Sequence, residues 1–323
     1  MTQRPYEPID PGALKTYSIT QRRHKVTLGA FAGLPVPGAT ASDLLDSMPD
    51  FLAVKNLRSA VEAIVGAHRA QRPVVWAMGA HVVKVGCSPI VIDLIKRGVI
   101  TAVAFNGSTA IHDVEVATQG ATSEEVAETI LDGTFGMVEE TPAIFAEACK
   151  LATAERTGLG QALGKLVSGL SANYVEHSIL AAAYQADIPL TVHVAIGTDT
   201  IHMHAGANGA QIGQASLIDF RLICSVVKDM APGGSEPAAG VWCNIGSSVL
   251  LPEVFLKAVS VARNLGANLD EMHTLNMDMI RHYRPAQNVI GRPVQAGHGL
   301  EIIGHHEIML PILRQAILEK MRP

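Results

Sequence analysis

Within residues 190–209, LTVHVAIGTDTIHMHAGANG, an aliphatic run gives way to Gly197-Thr198-Asp199 and then to His202 and His204. A neutral imidazole with a reference pKa of about 6.5 exchanges protons near neutrality, so His204 is the candidate general base and His202 its neighbour. The same H-x-H pair is also compatible with zinc, which would make the chain a metal-dependent hydrolase. Zinc needs a third ligand, however, and only the distant Asp199, His305 and His306 offer one, so no metal is assigned. Lys84, in AHVVKVG, sits where a strand gives way to a helix. There an amine either holds a phosphate or, if burial lowers its pKa, acts as a nucleophile. Asp113, after His112 in AFNGSTAIHD, is a further polar candidate in apolar surroundings, as is His81.

Four segments share one form, an apolar strand followed by a small or polar turn: WAMGAHVVKVGCS, VAFNGSTAIHD, VHVAIGTDTIHMH and VWCNIGSSVL. In a parallel sheet the carboxyl ends of the strands lie along one edge, so these turns converge on one crevice, where helix N-termini favour phosphate. A dinucleotide is the natural occupant. No G-x-G-x-x-G follows a strand, and Gly158-Leu159-Gly160-Gln161-Ala162-Leu163-Gly164-Lys165 has the wrong spacing for a phosphate loop. It reads as a site of close helix packing or a turn.

The elements that must hold these residues alternate along the chain. Strands are expected at 73–83, 100–105, from Pro189 onward, at 241–245, 269–276 and 300–303. Helices are expected at 56–71, 88–97, 110–118, 123–132, 138–153, 159–168, 173–186, 210–230, 252–265 and 306–321, with Ser42 or Asp43 capping an earlier one. Loops are expected at 231–240 and 281–299. That alternation predicts an α/β fold, a doubly wound parallel sheet in one large domain over 41–323, preceded by an extended arm over 1–40.

Composition agrees. Of 323 residues, 48% are hydrophobic and only 4% aromatic, so aliphatic side chains and glycine fill the core, as in strands buried on both faces. With 25 Lys and Arg against 30 Asp and Glu and no basic block, neither nucleic acid nor an anionic membrane is an expected partner. The four cysteines form no C-x-x-C pair and read as reduced, buried thiols. No signal peptide and no spanning run are legible, so a cytoplasmic location is expected.

In order and spacing, the loops over residues 70–320 resemble those of deoxyhypusine synthase and its relatives. AFNGSTAIHD is similar to that family's nicotinamide-dinucleotide loop, ending in an acid at Asp113. IPLTVHVAIGTDTIHMH is similar to its Gly-x-Asp turn, which places Asp199 on the turn's acid and His204 on the functional histidine. NIGSSVLLPEVFLKAVSVARNLGANLD looks like the segment that follows. The resemblance implies a Rossmann-like fold, NAD, homotetramers or homodimers, and oxidation or aminoalkyl transfer on an amine- or hydroxyl-bearing substrate, with a polyamine among the candidates.

The chain departs from the pattern in three places. Leu251 stands where the family carries its imine-forming lysine, Ile111 and His112 replace an acidic pair, and Gly304-His305-His306-Glu307 replaces a small-residue turn at the dinucleotide. Leucine forms no imine, so deoxyhypusine synthesis itself is not expected and Lys84 is the alternative amine. The resulting expectation has Asn106, Gly107, Ser108, Gly197 and Asp199 binding NAD, and His204, Lys84, Asp113 and His202 on the reacting side. A non-catalytic ligand-binding protein that kept the fold is the remaining alternative.

Overall fold

Aliphatic strands that are apolar on both faces need cover on both sides, and helices supply it. The computed structural model describes residues 6–233 and 238–322; the first five residues of the arm and part of the loop at 231–240 lie outside the described residues. Residues 6–40 contain three short 3-10 turns and remain almost wholly exposed. The body opens with α1 (Ala41–Ser47) and α2 (Leu52–Arg69). Thr40, rather than Ser42 or Asp43, caps α1, and Asp43 returns a hydrogen bond to the Thr40 backbone.

The order then runs β1 (Val74–Met78), α3 (His81–Lys84), α4 (Ser88–Lys96), β2 (Ala102–Asn106), α5 (Gly107–Gln119), α6 (Val126–Asp132), α7 (Glu140–Glu155), α8 (Leu159–Ser168), α9 (Ile179–Gln185) and β3 (Leu190–His193). It continues through α10 (Gly209–Lys228), β4 (Val241–Ile245), α11 (Leu250–Asn264), β5 (His273–Asp278), α12 (Tyr283–Asn288), β6 (Gly299–Ile303) and α13 (His306–Met321). The six strands form one all-parallel sheet in the order β3-β2-β1-β4-β5-β6, a Rossmann-like arrangement.

Alternate strand residues feed two cores. Val74, Trp76 and Met78 pack with α2, α4, α5 and α13, whereas Val75, Ala77 and Trp242 pack with α10 and α11. Trp76 and Trp242 are both fully buried, as expected of core residues, and Trp242 stacks on Phe255 at 4.4 Å. Such a pair contributes about 1 kcal/mol beyond area burial. All four cysteines are free and buried. No helix among the described residues is long and apolar enough to cross a membrane.

Side chains engage backbone groups at both outer strands. On β3, Val192 N–H donates to Asp219 Oδ2 at 2.9 Å, and one residue past its end Val194 N–H donates to Ser216 Oγ at 3.3 Å, both acceptors belonging to α10. On β6, the Glu301 carbonyl accepts from Asn56 Nδ2 of α2 at 2.8 Å.

Four expectations are corrected. β1 stops at Met78, and His81–Lys84 turns helical, which buries Val82 and Val83 without continuing the strand. The helix expected over 173–186 breaks at Ser178, whose extended backbone and hydroxyl cap α9. The strand expected at 269–276 starts at His273, because Leu269 and Met272 are buried in the turn before it. The loop at 281–299 contains α12.

Gly158-Leu159-Gly160 does prove to be a packing site. A Cβ on Gly160 would lie 2.2 Å from the Leu190 carbonyl oxygen, so only glycine lets α8 approach β3 this closely.

Candidate functional site

The chain reverses direction between β1 and β4, the topological switch point, and their carboxyl ends touch. Gly79 N–H donates to the Ile245 carbonyl at 2.9 Å, and a Cβ on Gly79 would sit 2.0 Å from the Gly246 carbonyl oxygen. Gly246 has φ +64°, and its N–H donates to the Met277 carbonyl at 2.9 Å. Neither strand end therefore carries a side chain over the crevice.

Beside it stands the head of α5. Asn106 Oδ1 caps this helix, accepting from Thr109 N–H at 2.9 Å, and Thr109 Oγ1 lies 2.6 Å from Asn106 Oδ1 and 2.9 Å from the Met78 carbonyl. β1 and β2 are thereby tied together where they end.

Gly107 faces the Asp199 carboxylate so closely that a Cβ would lie 2.1 Å from Oδ2. Asp199 is buried, and Oδ2 has no hydrogen-bond partner among the described residues. Burial raises its carboxyl above the ordinary range, against the opposing pull of His202 and Thr198.

Asp199, Lys84 and Ser108 line one cleft of about 630 Å³, together with His112, Glu115, Glu124 and Glu140. Lys84, the last residue of α3, is exposed and forms no ion pair among the described residues. The remaining sequence-derived candidates take other positions. His202 Nδ1 accepts the N–H groups of Gly197 (3.2 Å) and Asp199 (3.4 Å), so His202 and the left-handed Gly197 shape the loop that presents Asp199. His204 Nε2–H donates to the Gly136 carbonyl at 2.8 Å, and Gly136 borders the cleft. The two histidines thus engage separate backbone groups, and the described residues contain no group of three His, Cys, Asp or Glu that could hold a metal.

Asp113 is fully buried away from the cleft lining. Its carboxylate accepts from Ser178 Oγ (2.5 Å), Ile179 N–H (2.8 Å) and Leu180 N–H (3.0 Å), which docks α5 onto the head of α9. Burial pushes this carboxyl up to about 6 despite those hydrogen bonds.

The cleft also holds a constellation that spacing alone does not single out. His112 Nδ1 lies 2.6 Å from Thr122 Oγ1 and 3.3 Å from Glu115 Oε2, and the Thr122 hydroxyl donates to the same carboxylate oxygen. Burial would raise the Glu115 carboxyl, but the bonds from His112 and Thr122 outweigh it and hold it below its ordinary range. The i, i+3 spacing of His112 and Glu115 on α5 is the one sequence signal of this pair. Thr122 reaches it only because the chain turns back after Gly120.

Leu251 is fully buried in the core between the sheet and α11. An ammonium at this position would face hydrocarbon rather than a ligand. Leu251→Lys is expected to cost about 3 kcal/mol in urea denaturation and to yield no borohydride-trapped adduct with an aldehyde or amine-derived substrate.

No family model and no curated protein matches the chain. Solved structures do resemble it. A candidate deoxyhypusine synthase from Entamoeba histolytica superposes with TM-score 0.53 at 10% identity, covering 87% of this chain and 94% of that one. A candidate LOR/SDH protein from Methanococcus maripaludis S2 gives 0.52 at 12% identity, covering 82% of this chain and 70% of that one. AgrE, solved as a ternary complex with ornithine and NAD+, gives 0.51 at 12% identity over 83% of this chain. The chain spans only 34% of the AgrE chain. At these identities the likeness is one of fold, a Rossmann-like fold shared with a deoxyhypusine synthase-like protein and with a protein solved with NAD+ bound.

Proposed function

We propose that the chain is an NAD-dependent enzyme of the deoxyhypusine synthase-like group, acting on a small amine- or hydroxyl-bearing substrate held in the cleft beside α5. The observation that carries this reading is Asp199, a buried carboxylate whose Oδ2 lacks a partner at the head of a helix and in the wall of a 630 Å³ cleft. An unsatisfied buried acceptor is costly unless a ligand completes it, and a ribose hydroxyl or a substrate ammonium does so.

The residues present fit a dinucleotide. Gly79 and Gly246 leave the strand ends bare for close backbone approach, and the first N–H groups of α5, at Gly107 and Ser108, face the same edge. When bound, the nicotinamide would accept hydride from the substrate carbon. Glu115, Glu124 and Glu140 give the cleft wall an acidic character that suits a cationic amine, including a polyamine. His112 is the base that fits best within this cleft. Its Nδ1–H is held by Glu115 and Thr122, which leaves Nε2 to take a proton from the substrate N–H or O–H, and Glu115 balances the resulting charge. Lys84, Ser108 and Asp199 orient the substrate and cofactor, while His202 and His204 hold the surrounding loop. The exposed Tyr6, Ile9, Tyr17 and Phe31 of the arm support assembly as a homodimer or homotetramer.

Calorimetric titration with NAD tests the reading. Wild-type protein is expected to bind, and Asp199→Ala to bind at least about tenfold more weakly, the loss of a charged hydrogen bond, with its melting temperature kept. Wild-type protein that gives no NAD heat at millimolar ligand would remove the dinucleotide from the proposal.

A further inference from the structure

A second pair of imidazoles meets at the switch point, outside the cleft lined by His112. His81 begins α3, two residues beyond Gly79, and His306 begins α13. Their Nδ1 atoms are 2.9 Å apart, with ring centroids separated by 5.2 Å. His306 is fully buried, and its Cε1 lies 3.0 Å from where a Cβ on Gly246 would stand, so the pair abuts the bare end of β4.

The hydrogen-bond pattern fixes the protons. His306 Nε2 lies 3.3 Å from the Met277 carbonyl, which can only accept, so Nε2 carries hydrogen. In neutral His306 the Nδ1 atom is then a lone pair, and the hydrogen between the two rings belongs to His81 Nδ1. Burial favours the neutral form of His306 and lowers its pKa, although Asp278 and Glu307 pull the other way and His81 adds to the lowering. Cys87 Sγ also lies 3.8 Å from the His306 carbonyl.

A neutral His81 carrying hydrogen on Nδ1 has a lone pair on Nε2. That atom has no hydrogen-bond partner among the described residues. His81 as a whole is half-buried, at the margin between core and solvent.

From this geometry we infer that His306 is a positioning residue that locks His81 in its Nδ1–H tautomer, making His81 Nε2 a proton acceptor for an O–H or N–H group of a ligand in the β1/β4 crevice. The step balances simply. The ligand's proton moves to Nε2, the ligand keeps the electron pair, and the His81 imidazolium still donates Nδ1–H to neutral His306. The inference rests on reading the crevice as a ligand site, but the tautomer can be tested without any dinucleotide. Its failure and the failure of NAD binding are therefore separate results.

Long-range proton–nitrogen spectra of the full chain, labelled with nitrogen-15 histidine and recorded above pH 8, read each tautomer directly. The expected result is an Nδ1–H cross-peak with an unprotonated Nε2 for His81, and the reverse for His306. His306→Gln can accept from His81 through Oε1 and donate to Met277 through Nε2, so it should keep the His81 pattern. His306→Leu should lose it, returning His81 to Nε2–H. If Leu disrupts folding, the Gln variant and the wild type still decide the matter. Diethyl pyrocarbonate, which acylates an accessible imidazole lone pair, should modify His81 and spare His306. An Nε2–H His81 in the wild type, or a His81 that resists acylation while exposed histidines react, would overturn the inference.

Discussion

Gly79→Ala is expected to lose both ligand binding and more than about 3 kcal/mol of stability, because no side chain fits between the ends of β1 and β4. The added methyl carbon would lie 2.0 Å from the Gly246 carbonyl oxygen and 2.7 Å from its carbon, both backbone atoms that cannot swing aside. To admit it, the two strands must part by more than an ångström, which breaks the 2.9 Å bond from Gly79 N–H to the Ile245 carbonyl. The same movement drags Gly246 against the His306 ring. Urea denaturation reads the stability loss, and calorimetry with NAD reads the binding. A variant with wild-type stability would mean that the central strands are far less tightly joined than their register indicates.

Asp219→Ala should be comparably damaging, at about 4 kcal/mol. Asp219 Oδ2 accepts from Gly160 N–H and from Val192 N–H, each at 2.9 Å, inside a region closed to water. Removing the carboxylate orphans two buried donors at about 1–3 kcal/mol each and leaves a void. Asp219→Asn, which keeps an acceptor, should lose far less.

The pH dependence follows from the same group. Burial pushes the Asp219 carboxyl up to about 7 against the pull of its backbone donors, and that of Asp113 to about 6. A carboxyl raised on folding binds its proton more tightly in the native chain. Its contribution is therefore full below the unfolded pKa of about 3.9 and is lost as pH rises toward the folded value. Wild-type stability should decline from pH 4 to pH 7 by more than that of Asp219→Asn. Denaturation at pH 4 and pH 8 measures the difference, and parallel profiles for the two proteins would show that Asp219 is not raised on folding.

Much of the architecture is legible in the sequence because apolar patterning and backbone breakers act locally. The strand 241–245 and the helices 159–168 and 306–321 coincide with the observed elements residue for residue. The sequence is silent where the decision is made by distant groups. After Gly79, the apolar Val82 and Val83 read as more strand, and only the packing beneath α3 turns them helical. Asp113 has the composition of a functional acid, yet its partners lie 65 residues or more along the chain, at Ser178, Ile179 and Leu180. Asp199 is legible as a special turn residue, and its exposed-looking loop gives no hint that Oδ2 is buried beside Gly107 without a partner. The His81–His306 contact spans 225 residues and exists only because the start of α13 lies against the ends of β4 and β5, beside β1.

The covered margin of β3 bears on how this protein can fail. An open parallel sheet ordinarily ends in rows of free N–H and C=O groups, and those rows template intermolecular pairing, domain exchange and fibril growth. Here α10 spends Asp219 and Ser216 on the β3 margin, and α2 spends Asn56 on the β6 margin. At the β3 margin a neighbouring chain must displace α10 before it can add a strand, so this edge is a poor seed for aggregation. Variants that loosen α10 should therefore betray themselves first as turbidity during refolding, before any change in the native protein's behaviour.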